Sequence, residues 1–166
     1  SKLNYSSQEF RDSLIMYLIE DQGNTLDKEY IVKIKELGYI NYFNRSRYGK
    51  ISSDKLNDMH ILELEKLIHK YGFPDKSIIG NDFVGNAVWL LIVHSNNIEL
   101  MTKYLNELKN NYGPRAYSIA VDKILVEKGL PQKFGTQAIF SNKLNCNIFY
   151  QIEDYPNVDK RRMGLG

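Results

Sequence analysis

The sequence predicts a mainly α protein, a helical bundle of about five to six helices with one small C-terminal β-hairpin. Three observations carry this expectation. Apolar residues recur at helical spacing through most of the chain. Glycine and proline close such runs, as at Gly72 and Pro74, Gly113 and Pro114, and Gly129 and Pro131. The stretch TQAIFSNKLNCNIFYQI then switches to Phe, Ile and Tyr on either side of a polar SNKLN, the pattern of two strands joined by a turn.

The elements follow in order. SSQEFRDSLIMYLIEDQ has Ser6 or Ser7 to cap it, Glu9 three residues after Ser6, and a stripe of Phe10, Leu14, Tyr17 and Leu18; Gly23-Asn24 ends it. LDKEYIVKIKELGY reads as a second helix closed by Gly38, and NYFNRSRYGKISS as a loop. In SDKLNDMHILELEKLIHKYG, Leu56, Met59, Leu62 or Glu63, Leu67 and Ile68 fall near helical spacing, with Gly72 and Pro74 as the stop. NDFVGNAVWLLIVHSNN is apolar nearly all round, as in a helix packed on several sides. IELMTKYLNELKNNYG is amphipathic and broken by Gly113-Pro114, and RAYSIAVDKILVEKG is a further helix ended by Gly129 and Pro131. The tail EDYPNVDKRRMGLG reads as extended coil or a short helix.

Composition narrows the function classes. The 166 residues suit a single globular domain, 1–166, with 43% hydrophobic and 25% charged residues, which is ordinary globular usage. A net charge of +2 with acids and bases interleaved gives no strong nucleic-acid signal, since that would need a clustered basic face. The Tyr- and Arg-rich YINYFNRSRYG is accordingly read as packing and surface rather than a single-strand binding platform. One cysteine, Cys146, excludes an intramolecular disulfide and an all-cysteine metal site. AVWLLIV is far below the ~20 apolar residues of a membrane span. Ser1 in place of Met and the ending RRMGLG read as trimmed ends, which leaves cytoplasmic and exported locations both open.

No familiar catalytic signature is present. GLPQKFGT resembles a phosphate loop, but five residues separate its glycines, no Lys follows Gly135, and a strand comes next. His60 and His69 lie nine apart, so there is no HExxH, and no metal or cofactor is expected. What remains are polar residues on apolar helix faces. Asp21 lies eleven residues after Phe10 and so continues its stripe, with Gln22 one turn beyond Leu18; solvated helix-end residues are the competing reading. His94 follows Ala87, Leu90 and Leu91 on the most apolar helix, where an imidazole needs a hydrogen-bond partner. Asp122 projects between Ile119, Leu125 and Val126, and a buried carboxylate there needs a cation or several donors. Lys123, His94 or the Arg161/Arg162 pair are the candidate cations.

The loop PQKFGTQ offers matching groups. Gln132 and Gln137 are neutral donor-acceptors, Thr136 adds a hydroxyl and Gly135 permits close backbone approach. Arg161 and Arg162 form a fork that suits a carboxylate or phosphate; helix capping by the glutamines and solvated arginines are the competing reading.

Taken in order, EDQ, YGFP, WLLIVHSN, VDKILVEKGLPQKFGTQ and VDKRRMGLG resemble a family of uncharacterised bacterial domains. Its members carry Asp-Gln, Gly-Trp-Pro, a helix ending in Gln-His, Asp-Arg, Gln-x-Tyr-Gly-Thr-Gln and a closing Arg-Arg-x-x-x-Gly-Leu. The resemblance covers about Glu9 to Gly166. It singles out Asp21, Gln22, His94, Asp122, Gln132, Gly135, Thr136, Gln137, Asp159, Arg161 and Arg162, and implies shared architecture and a shared polar set rather than a reaction. Phe73, Val93, Lys123 and Phe134 depart from the family's Trp, Gln, Arg and Tyr.

Two functions are therefore expected. In the first, Asp21, His94, Asp122 and the 132–137 loop line a polar pocket with Arg161/Arg162 at its rim. His94 is then the general acid/base of a hydrolase or transferase at a phosphoryl or acyl centre, Asp122 orients it, and Gln137, Thr136 and amides near Gly135 hold the developing anion. In the second, the same residues form a structural network in a non-catalytic interaction or immunity-like module. The partner is a small molecule in the first and a protein in the second.

Overall fold

The computed structural model describes the backbone of residues 28–74 and 83–166. The chain is mainly helical, with a two-stranded antiparallel sheet near the C-terminus. Its contacts fall into two compact units, Ser1–Leu91 and Ile92–Gly166. The first helix expected from the sequence, with Asp21 and Gln22, lies outside the described residues.

In the first unit, helical backbone runs over Lys28–Tyr71 (α1). A straight helix would separate Tyr30 from Tyr71 by about 60 Å. Yet the Tyr30 hydroxyl donates to the Gly72 carbonyl at 2.7 Å, and the Tyr30 and Tyr71 rings stack with centroids 4.8 Å apart. The run therefore turns back on itself. Glu36 is close enough to His60 to act on its charge, so the reversal lies between those two residues. The stop expected at Gly38 is not made there, and the segment expected as a loop is assigned helical backbone. The two arms are nevertheless the two helices that the apolar pattern indicates.

The buried faces of these arms are Tyr30, Ile34 and Leu37 on one and Ile61, Leu64 and Leu67 on the other. Met59 and Leu62, expected on the inner stripe, are 68% and 61% exposed. Two apolar stripes overlap in HILELEKLIHKY. Ile61 and Leu64 are the buried choice, which the periodicity of one arm could not decide. Gly72, at φ 89°, ends α1 as expected, its N–H bonded to the Ile68 carbonyl.

Phe83–His94 (α2) buries Val88, Trp89, Leu91, Ile92 and Val93. Buried residues occupy successive positions, as its near-continuous apolar sequence leads one to expect.

The second unit continues with Ile98–Lys103 (α3), capped by the Asn97 side chain accepting from the Leu100 N–H. Leu105–Glu127 (α4) follows after a single non-helical residue, Tyr104. Gly113, at φ 81° and ψ −171°, is non-helical, and Pro114 follows, so α4 is kinked where the sequence predicts a break. Past Glu127 the Gly129 N–H donates to Val126 and the Leu130 N–H to Leu125. With Gly129 at φ 70° this is a Schellman closure. Ala138–Ser141 (β1) and Cys146–Phe149 (β2) pair antiparallel around the turn 142–145. A 3-10 turn, Tyr155–Asn157, leads into Val158–Met163 (α5), so of the two alternatives for the tail, extended coil or a short helix, the helix is formed.

Candidate functional site

Asp122 organises the site. It lies on α4 with its side chain fully buried, one helical turn after the buried Ser118 and so on the same face. Its Oδ1 accepts from the backbone N–H groups of Lys133 at 2.7 Å and Phe134 at 2.9 Å. Its Oδ2 accepts from the Thr136 N–H at 2.8 Å and the Thr136 hydroxyl at 2.9 Å. A carboxylate offers about four acceptor positions, and these donors take all of them. The sequence reading allowed a cation or several donors. Here donors compensate the buried charge, while Lys123 donates instead to the Val93 carbonyl at 2.6 Å.

Gln132, in the loop, is the second fully buried polar side chain of the site. Its Nε2 donates to the carbonyls of Gln137 and Tyr150 at 3.0 and 2.8 Å, and its Oε1 accepts from the Gln137 N–H at 2.8 Å. The Gln132 backbone adds a parallel bridge to Ile152, donating to the Gln151 carbonyl and accepting from the Glu153 N–H. The loop is thus tied at one end to the segment leaving β2 and at its middle to α4. Phe134, also buried, places its ring 6.3 Å from that of Tyr117 on α4.

The arginines of α5 close the loop from the other side. Arg161 donates to the carbonyls of Lys133 at 2.9 Å, of Asp154 at 3.1 Å and of Glu153, and its Nη1 lies 3.5 Å from the Asp154 carboxylate. Arg162 donates from Nε to the Phe134 carbonyl and from Nη1 to Asp159, both at 2.8 Å. The clamp expected for an external anion is occupied by carbonyls of the chain itself. Gly135, at φ 67°, sits under it: a Cβ there would stand 2.9 Å from both Arg162 Nη2 and Ile152 Cδ1. The left-handed backbone favours glycine, and a side chain there would also displace the ends of Arg162 and Ile152.

The structure therefore brings together Asp122, Gln132, Gly135, Thr136, Gln137, Asp159, Arg161 and Arg162. Gln137 joins through its Nε2, which donates to the Thr136 hydroxyl at 3.0 Å. His94 is the last residue of α2 and half-buried. It gives Asp122 no hydrogen bond, since all four on that carboxylate come from the loop. Asp21 and Gln22 lie outside the described residues. Among the described residues no group of three or more His, Cys, Asp or Glu is placed to hold a metal ion, and no helix is long and apolar enough to cross a membrane. A shallow surface depression borders the site, lined by Glu153, Asp154, Asn157, Lys160 and Arg161.

Two features escaped the sequence reading. The hairpin is apolar yet exposed, with Ile139, Phe140 and Phe149 each more than half open to solvent. His60 on α1 is held below the ordinary histidine pKa by burial, partly offset by Glu36. Its Nδ1 is buried with no hydrogen-bond partner. No protein-family model matches the chain, and no curated protein or solved structure gives a significant match.

Proposed function

We propose that the chain is a non-catalytic interaction module, in which the Asp122 and Gln132 networks build a rigid loop that carries the β1–β2 hairpin. One observation carries this reading: the Asp122 carboxylate is fully buried and accepts four hydrogen bonds from Lys133, Phe134 and Thr136. A carboxylate filled in this way has no position left to orient an imidazole. The arginines support the same reading, because their donors hold the loop carbonyls of Lys133 and Phe134. In a module of this kind the polar set fixes the shape of a surface, and the surface does the binding.

The test compares stability with turnover. His94→Ala and Gln137→Ala lower the melting temperature, and neither changes a hydrolysis rate above background on aryl phosphate and aryl ester probes. A measurable hydrolysis rate that His94→Ala abolishes while the fold survives would restore the general-base enzyme.

A further inference from the structure

We propose that the β1–β2 hairpin is a wedge that enters a cleft in a partner protein, a cleft with two apolar walls and a carboxylate at its floor. This inference rests on the reading of the chain as an interaction module and names the partner's chemistry. The strand register pairs Ala138 with Phe149, Ile139 with Ile148 and Phe140 with Asn147. Side chains alternate between faces along a strand. Phe140 and Phe149 therefore stand on one face, and Ile139, Ile148 and the following Tyr150 on the other. Their exposures are 54% and 59% on the first face and 55%, 40% and 40% on the second. An antiparallel sheet ordinarily turns one apolar face to a core and one polar face to water; this hairpin is apolar on both faces, and among the described residues none covers either face.

Area decides between a flat partner and an enclosing one. Taking roughly 200 Å² for a large side chain, each face offers on the order of 200 Å² of apolar surface. A specific interface takes about 800 Å² from each partner, a little over half of it apolar, or about 450 Å². One face supplies about half of that. Both faces together with Leu144 in the turn, itself 62% exposed, reach it. A second copy lying flat on one face leaves the other wet, whereas a cleft covers both. Charge fixes the floor. Lys143 is the one charged residue between Gln137 and Gln151, and it lies in the turn at the tip. It enters deepest, and an ammonium taken out of water requires an opposite charge.

The experiment uses the full chain in its native cells, with a benzophenone amino acid placed at Ile139, at Phe140 or, as a reference, at Met163, which is 75% exposed on α5. Zero-length carbodiimide coupling reports on Lys143. The expected result is one partner reached from both Ile139 and Phe140 through different apolar peptides, with Lys143 joined to its Asp or Glu. Lys143→Arg removes the carbodiimide product and keeps the photoproducts. Phe140→Asp with Ile148→Asp lowers photo-crosslinking from Ile139 at least tenfold while circular dichroism and the unfolding midpoint stay near wild type. Products from one face only, a second copy of this chain as the sole product, or a partner reached only from Met163 would overturn the cleft and leave the interaction reading standing. No product from any of the three positions would overturn both.

Discussion

Asp122 is where the account is most exposed to measurement at the scale of a single residue. Its carboxylate gathers three backbone amides and a hydroxyl from residues 133–136 into the interior of the second unit. Removing it strands several buried donors at once, and each costs about 1–3 kcal/mol when left without an acceptor. Asp122→Ala should therefore destabilise the protein by at least about 3 kcal/mol in urea unfolding. Asp122→Asn should recover only part of that, because its amide turns a donor toward donors. That Asp122 faces inward was legible from helical spacing. Its partners were not, since they are amides eleven to fourteen residues further on, in a loop whose path no periodicity describes. The same limit applies to Arg161 and Arg162. Their fork was legible, but its occupants are carbonyls that only the folded loop places there.

At the scale of elements, backbone chemistry was the reliable signal and apolar register the weaker one. Gly113 and Pro114 announced the kink in α4, and Gly113 occupies φ 81° and ψ −171°, a region open essentially to glycine alone. No atom lies within 4 Å of a Cβ placed there, so the cost of a side chain is backbone strain without a clash. Gly113→Ala should lower stability by about 1–3 kcal/mol in thermal unfolding. In α1, by contrast, overlapping apolar stripes left Met59 and Leu62 plausible as core, and the burial of Ile61 and Leu64 instead is visible only in the folded chain.

The α1 arms also carry a pH dependence. His60 in the folded chain has its pKa lowered, chiefly by burial, with Glu36 raising it in part. The unfolded chain then binds a proton more readily than the folded one. Stability from this group is complete above the unfolded value of about 6.5. It declines as pH falls below that value and levels off beneath the lowered folded value. Melting temperatures measured between pH 8 and pH 5 should fall more for the wild type than for His60→Leu, and equal slopes would remove His60 from the account.

The whole molecule combines a part that was readable with a part that was not. The mainly α class, the hairpin and the closures at Gly72 and Gly129 follow from local chemistry. The fate of the polar set depends on how the loop, α4 and α5 meet, and neither that meeting nor the exposure of the hairpin is written in local chemistry. An alternation of Phe, Ile and Tyr announces a strand without saying whether water or protein lies against it. In the function proposed above, the exposed hairpin is the binding surface and the Asp122 and Gln132 networks are its support. That support has a direct test. Amide hydrogen exchange at Lys133, Phe134 and Thr136 reports on the three N–H groups held by Asp122. Protection comparable to that of the α4 core is expected, although all three residues lie outside helix and strand. Exchange at the rate of an open loop would contradict it.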